Sequence, residues 1–275
     1  AQKRDGSGGR GAAEVMPAMV AGRRPATMAG MTDDLFRQDA YLRECSAHIT
    51  TVTEAGIVLD RTVFYPLGGG QAGDRGGRVL ADGTEIAIAD TRKGKDAEGN
   101  ATNNIVHVPA PGQEALLATL APGTTVTARI DWERRHRMMR LHTTSHLLCH
   151  VVPQLVNGCS ITPDYARLDF AMTEPLDKEQ LTAAIAAMVA ATHPLTVASI
   201  SDEELDANPA LVKSMSVQPP RGTGRIRTIR IGGDGDAPLI DLQPCGGTHV
   251  ANTSEIGPIV VTKIEKKSAT TRRVV

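Results

Sequence analysis

Arg140-Leu141-His142-Thr143-Thr144-Ser145-His146-Leu147-Leu148 holds two histidines four positions apart among apolar residues. On a helix this spacing puts both imidazoles on one face, with Cβ atoms roughly 5–6 Å apart, so they can converge on one ion. Far along the chain stands Pro244-Cys245-Gly246-Gly247-Thr248-His249. A glycine pair can adopt left-handed or closely packed backbone, so this segment reads as a turn folding a thiolate and an imidazole back together. Alone, a His-x-x-x-His pair is more often a surface or core pair than a metal site. A cysteine between a proline and two glycines, however, is poorly placed for core packing and well placed as a thiolate. Together His142, His146, Cys245 and His249 make a nitrogen and sulfur donor set that favours zinc over magnesium or calcium.

The histidines belong to a longer helical pattern. Asp131 is an N-cap, and Met138, Leu141, Ser145, Leu148 and Val152 recur at spacings of three and four up to a stop between Pro153 and Gly158. Asp177 to Thr192 reads as a second helix, with Leu181, Ile185, Met188 and Val189 on one face. Val197–Ile200, Arg225–Ile231 and Ile259–Ile264 read as strands of an antiparallel sheet.

Before Asp131 the period is that of strands. His48–Thr53, Ile57–Asp60, Thr62–Tyr65, Arg78–Leu80, Glu85–Asp90, Ile105–Val108 and Thr124–Ile130 alternate with turn signals, the signature of a small β-barrel. Thr91 to Asn104 has no apolar periodicity and is expected to be a loop. Gly68-Gly69-Gly70-Gln71 lacks the Gly-Lys-Ser/Thr ending of a phosphate loop and reads as a bulged hairpin turn. The expected class is therefore α+β. A small β-barrel-like domain (31–130) precedes a mixed α/β domain with an antiparallel sheet (131–275). Residues 1–30, rich in Gly, Ala and Arg, are expected to be a disordered leader with Met31 as the start of the protein.

A chain of 275 residues, 41% hydrophobic, can bury a large core. Its net charge of −1 provides no global attraction for nucleic acid, and 3% aromatic content argues against base-stacking platforms. The four cysteines are too scattered for a disulfide framework, which points to a reducing cytoplasm. No apolar run approaches the roughly 18 residues of a membrane span.

With these motifs in place the chain resembles the freestanding alanyl-tRNA editing proteins, relatives of the editing domain of alanyl-tRNA synthetase and, more distantly, of threonyl-tRNA synthetase. The likeness covers most of residues 45–265. It rests on Asp60-Arg61-Thr62-Val63-Phe64-Tyr65-Pro66 running into the glycine motif, on the His142 helix, and on Cys245-Gly246-Gly247-Thr248-His249-Val250. The resemblance implies hydrolysis of the ester joining serine or glycine to tRNA for alanine, with mischarged tRNA as partner. It also implies zinc on His142, His146, Cys245 and His249. It places Gln71, Thr62, Gly69 and Gly70 in the catalytic pocket, the glycines admitting the ester and Thr62 contacting a serine hydroxyl. Thr144, where a small residue is expected, and Leu67, where a polar or acidic one is common, depart from the pattern. Neither the long C-terminal segment by which larger relatives grip tRNA nor an aminoacylation domain is expected.

Other readings compete. Cys149 and His150 lie one turn along the helix but have no partner motif. Arg134, Arg135, His136, Arg137 and Arg140 could meet RNA phosphates or form a solvated face, as could Arg221, Arg225, Arg227 and Arg230 and the basic residues from Lys263 to Arg273. A zinc peptidase would carry Glu where Thr143 stands. A non-catalytic, zinc-stabilised RNA-binding module is the alternative function, because four ligands can be purely structural.

Overall fold

The computed structural model describes residues 31–222, 224–233 and 235–275, and the expected leader lies outside them. Six antiparallel strands, β1 (Glu44–Thr53), β2 (Gly56–Leu59), β3 (Gly76–Leu80), β4 (Glu85–Lys95), β5 (Ala101–Pro109) and β6 (Thr125–Ile130), close into a barrel in the order β1-β2-β5-β4-β3-β6. Alternation fills its interior: Val126, Ala128 and Ile130 of β6 face Ala47, Ile49, Ile57, Leu59, Ile86 and Ile88.

Two β expectations need correction. Thr91 to Asn104 is no loop, because β4 and β5 stay paired out to Lys95↔Ala101 and only the tip turns, held by Asp96 accepting from the Asn100 N–H at 2.8 Å. Its inward positions are Thr91 and Gly94, both buried, with Thr102 and Asn104 half-buried, so no apolar stripe marked the ribbon. Thr62–Tyr65 is a strand only at its start, where Arg61–Thr62 pairs with Asp33–Asp34, and the rest is buried irregular chain.

The second half is mixed α/β with antiparallel sheets. Helix α1 (Trp132–Val151) opens at Asp131, whose carboxylate accepts from the Arg134 N–H at 3.1 Å, and α2 (Lys178–Ala190) opens likewise at Asp177. Around them lie β7 (Val156–Ile161), β8 (Ala166–Ala171), β9 (Leu195–Ile200), β10 (Ile226–Gly232), β11 (Leu239–Pro244), β12 (Ile264–Ser268) and β13 (Thr271–Val274). They form sheets ordered β12-β13-β8-β7 and β9-β10-β11. The expected strand Ile259–Ile264 is instead a lead-in to the β12–β13 hairpin, with Val260 exposed and Val261 buried. Within the basic C-terminal stretch, Arg273 binds Asp169 through two hydrogen bonds of 2.7 and 2.8 Å.

Helix α1 is buried on every side from His142 to Cys149, since α2 and strands of both sheets cover it. One buried ion pair fixes it to the glycine segment. Arg135 Nε donates to both Asp74 oxygens at 3.1 and 2.9 Å, and its Nη2 donates to Asp74 and to the Val63 carbonyl. Asp74 in turn accepts from the Tyr65 N–H at 2.6 Å, so the chain around Gly68 is clamped against the helix that carries the histidines. Among the described residues no helix is long and apolar enough to cross a membrane.

Candidate metal centre

One helical turn holds the His142 and His146 rings 5.5 Å apart, and His249 comes within 4.3 and 4.6 Å of them. Cys245 Sγ lies 3.3 Å from His249 Nε2 and 3.6 Å from His142 Nε2, and all four donor atoms fall within 4.8 Å of one another. Bonds of about 2.0–2.3 Å in a tetrahedral zinc site place neighbouring donors about 3.3–3.7 Å apart, the spacing these two contacts show. The Cys-Gly-Gly turn works by close approach, because a Cβ on Gly247 would sit 2.1 Å from His142 Cε1 and neither glycine takes positive φ.

Each histidine spends its second nitrogen on the protein. His142 Nδ1 donates to Gln71 Oε1 at 2.8 Å, and the Thr248 N–H donates to the same oxygen at 3.1 Å. Gln71 Nε2 donates to Thr248 Oγ1 at 2.8 Å, which fixes the orientation of the amide. His146 Nδ1 donates to Asp241 Oδ2 at 2.8 Å, and His249 Nδ1 lies 3.2 Å from Thr143 Oγ1. Held this way, the rings turn their other nitrogens toward Cys245.

Charge follows from the same neighbours. Burial opposes ionisation of Cys245, but the imidazoles of His142 and His249 hold its thiol well below the ordinary value. Burial, with His142 next to it, pushes His249 down to about 3. Burial also works against charge on His146 and Asp241, but their mutual hydrogen bond prevails and holds them at about 9 and about 2. A thiolate and a neutral imidazole are the forms a metal needs, and an arriving ion has to displace the proton of His146. The residues present therefore fit a metal ion of zinc's preferences.

A cavity of about 350 Å³ opens beside the cluster, lined by His142, His146 and Cys245 together with Gly68, Gly69 and Tyr65 from the first half. The glycine turn is a two-residue hairpin, with Gly69 and Gly70 at φ +57° and +84° and reciprocal Gly68–Gln71 hydrogen bonds of 3.1 and 3.0 Å. It is joined to β7, because Ile161 N–H donates to the Gly70 carbonyl at 2.7 Å and Ala72 N–H to Ile161 at 2.9 Å.

The structure distributes the other expected site residues unevenly. Gly69 borders the cavity, and the place of a Cβ on it is open, the nearest atom being Tyr65 Oη at 3.8 Å. Gly70 lies behind it, where a Cβ would meet the Cys159 backbone and thiol at 3.0 Å. Gln71 is fully buried and reaches the site through His142 rather than by lining the cavity. Thr62 stands apart from the cavity wall, its hydroxyl 2.8 Å from His107 Nε2 inside the barrel. Cys149 borders the cavity outside the cluster, burial pushing its thiol up to about 12, while His150 is exposed. Arg134 and Arg140 donate to the carbonyls of Gly73 and Ile256, and Arg227 donates to those of Cys245 and Gly247, so these arginines brace the protein itself.

Sequence reading missed Asp241, Lys213 and Thr143. Only Asp241 left a signal, as an acid between Ile240 and Leu242 in a strand four residues before Cys245.

Residues 226–275 match the family described as threonyl and alanyl tRNA synthetase second additional domain, and residues 35–134 match tRNA synthetases class II (A). The alanyl-tRNA editing protein AlaX-M of Saccharolobus solfataricus is 32% identical over 249 residues, covering 89% of this chain and 98% of that protein. The chain belongs to the alanyl-tRNA editing protein family. AlaX-M of Methanosarcina mazei is 31% identical across 88% of this chain and 95% of its own length. The alanine–tRNA ligase of Metallosphaera sedula is 33% identical across 86% of this chain but only 25% of its own. Family membership thus extends across both halves, from the barrel to the Cys245 turn.

Proposed function

We propose that this chain is a cytoplasmic trans-editing hydrolase that cleaves the ester joining serine or glycine to tRNA for alanine, at a site holding one zinc ion on His142, His146, Cys245 and His249. The observation that carries this reading is the convergence of four donors beside a small cavity that His142, His146 and Cys245 line together with Gly68 and Gly69. The names of the relatives supply the substrate class. Bound there, zinc would supply Lewis acidity or an anchor for the amino group of the aminoacyl ester. Gln71, Asp241 and Thr143 hold the histidine rings in one tautomer and orientation. Gly68 and Gly69 leave room for the ester, and Tyr65 closes that side, its hydroxyl donating to the Gly68 carbonyl at 2.8 Å. We read the barrel (31–130) and the mixed α/β part (131–275) as two domains that build this one site, the first giving the glycine wall and the second the ligands.

The test is turnover. Purified protein should release serine or glycine catalytically from charged tRNA for alanine and leave the alanyl ester largely intact. Stoichiometric binding without release would favour the non-catalytic zinc-stabilised RNA-binding module.

A further inference from the structure

After the turn at Pro209–Leu211 a short segment borders the cavity through Val212, Lys213, Ser214, Val217, Gln218 and Pro219. Its root is fixed to β7: Val156 N–H donates to the Lys213 carbonyl and Met215 N–H to the Val156 carbonyl, each at 2.8 Å. From that root the Lys213 ammonium reaches the carboxylate of Asp241, a side chain wholly enclosed by protein. The same carboxylate receives His146 Nδ1 and Gln243 Nε2, both at 2.8 Å on Oδ2, and leaves Oδ1 to Lys213.

We infer that Lys213 is a positioning residue for the metal centre, holding Asp241 so that His146 presents its remaining nitrogen to the ion. This rests on the zinc reading above. Lys213 fixes Oδ1 while His146 and Gln243 share Oδ2, so without the ammonium one arm of the carboxylate is free to turn and the ring it orients turns with it.

The experiment is zinc retention by the full-length protein against a competing chelator, with the visible spectrum of the cobalt-substituted protein as a second readout. Lys213→Met should hold zinc about tenfold more weakly and shift the cobalt bands, and Lys213→Arg, which keeps a charged donor, should recover most of the loss. Asp241→Asn should weaken retention at least as much, and melting curves taken with excess zinc confirm that each variant is folded. Lys213→Met retaining zinc within twofold of wild type, with an unchanged cobalt spectrum, overturns the inference and leaves the zinc reading standing. Wild type that takes up no zinc overturns both.

Discussion

The buried histidine of the barrel and the histidines around Cys245 differ in what their ring nitrogens are left to do. In the barrel His107 has both ring nitrogens engaged, Nδ1 donating to the Ile57 carbonyl at 3.0 Å and Nε2 accepting from Thr62 at 2.8 Å. Burial, and then the charge of nearby Arg78, keeps it neutral. His142, His146 and His249 are buried too, yet each keeps one nitrogen for a common point beside a thiolate. Burial and residue type do not separate the clusters. The unspent nitrogen does, together with a cavity that reaches it.

The sharpest break of that contrast is metal content. Wild type should carry about one zinc per chain, and His142→Ala/Cys245→Ala should carry none by elemental analysis. Gly247→Ala should lose most of its zinc through the clash with His142, although it removes no ligand. His107→Ala should leave zinc content unchanged while lowering the melting temperature. Loss of zinc in the barrel variant would dissolve the distinction between the two clusters.

The next effect is on stability. Asp74→Asn leaves the Arg135 guanidinium buried without its carboxylate, and breaking a buried pair from one side costs about 3–5 kcal/mol. Urea unfolding should show that loss. Because the pair clamps the glycine segment to α1, editing activity should fall with it even where zinc is retained.

Local signals in the sequence carried far in both halves. Asp131 and Asp177 marked the helix starts because a cap acts within one turn, and the His142/His146 and Cys245/His249 spacings were legible because helix and turn geometry are local. What escaped notice depends on distance along the chain. Lys213 and Asp241 are separated by a hairpin, and Gln71 meets His142 across a barrel. The ribbon beyond Thr91 escaped because period-two reading needs apolar residues on the drier face, and here that face carries Gly94, Thr102 and Asn104. For Gln71, motif resemblance pointed to the site, but only the folded arrangement shows that it accepts a hydrogen bond from His142. Gln71→Ala should therefore lower both zinc affinity and deacylation by about 10–100-fold. A variant slow in catalysis with wild-type zinc affinity would instead put Gln71 in direct contact with substrate.

The smallest effect sharpens the barrel side of the comparison. Arg78 is fully buried, and none of its guanidinium nitrogens has a hydrogen-bond partner among the described residues. Burial lowers its pKa to about 9, the Cys45 thiol opposing only slightly. A base whose folded pKa lies below its unfolded value subtracts from stability wherever the folded form is charged, and the deficit shrinks as pH rises through the folded value. Arg78→Met, which fills similar space without the charge, should raise unfolding stability by about 1 kcal/mol near neutral pH. The gap between the two proteins should narrow above pH about 9. Urea unfolding of both at pH 7 and at pH 10 measures this, and the difference cancels other groups that titrate in that range. A less stable Arg78→Met protein, or a gap independent of pH, would mean that the guanidinium is satisfied inside the barrel and that this cluster, too, holds a partner.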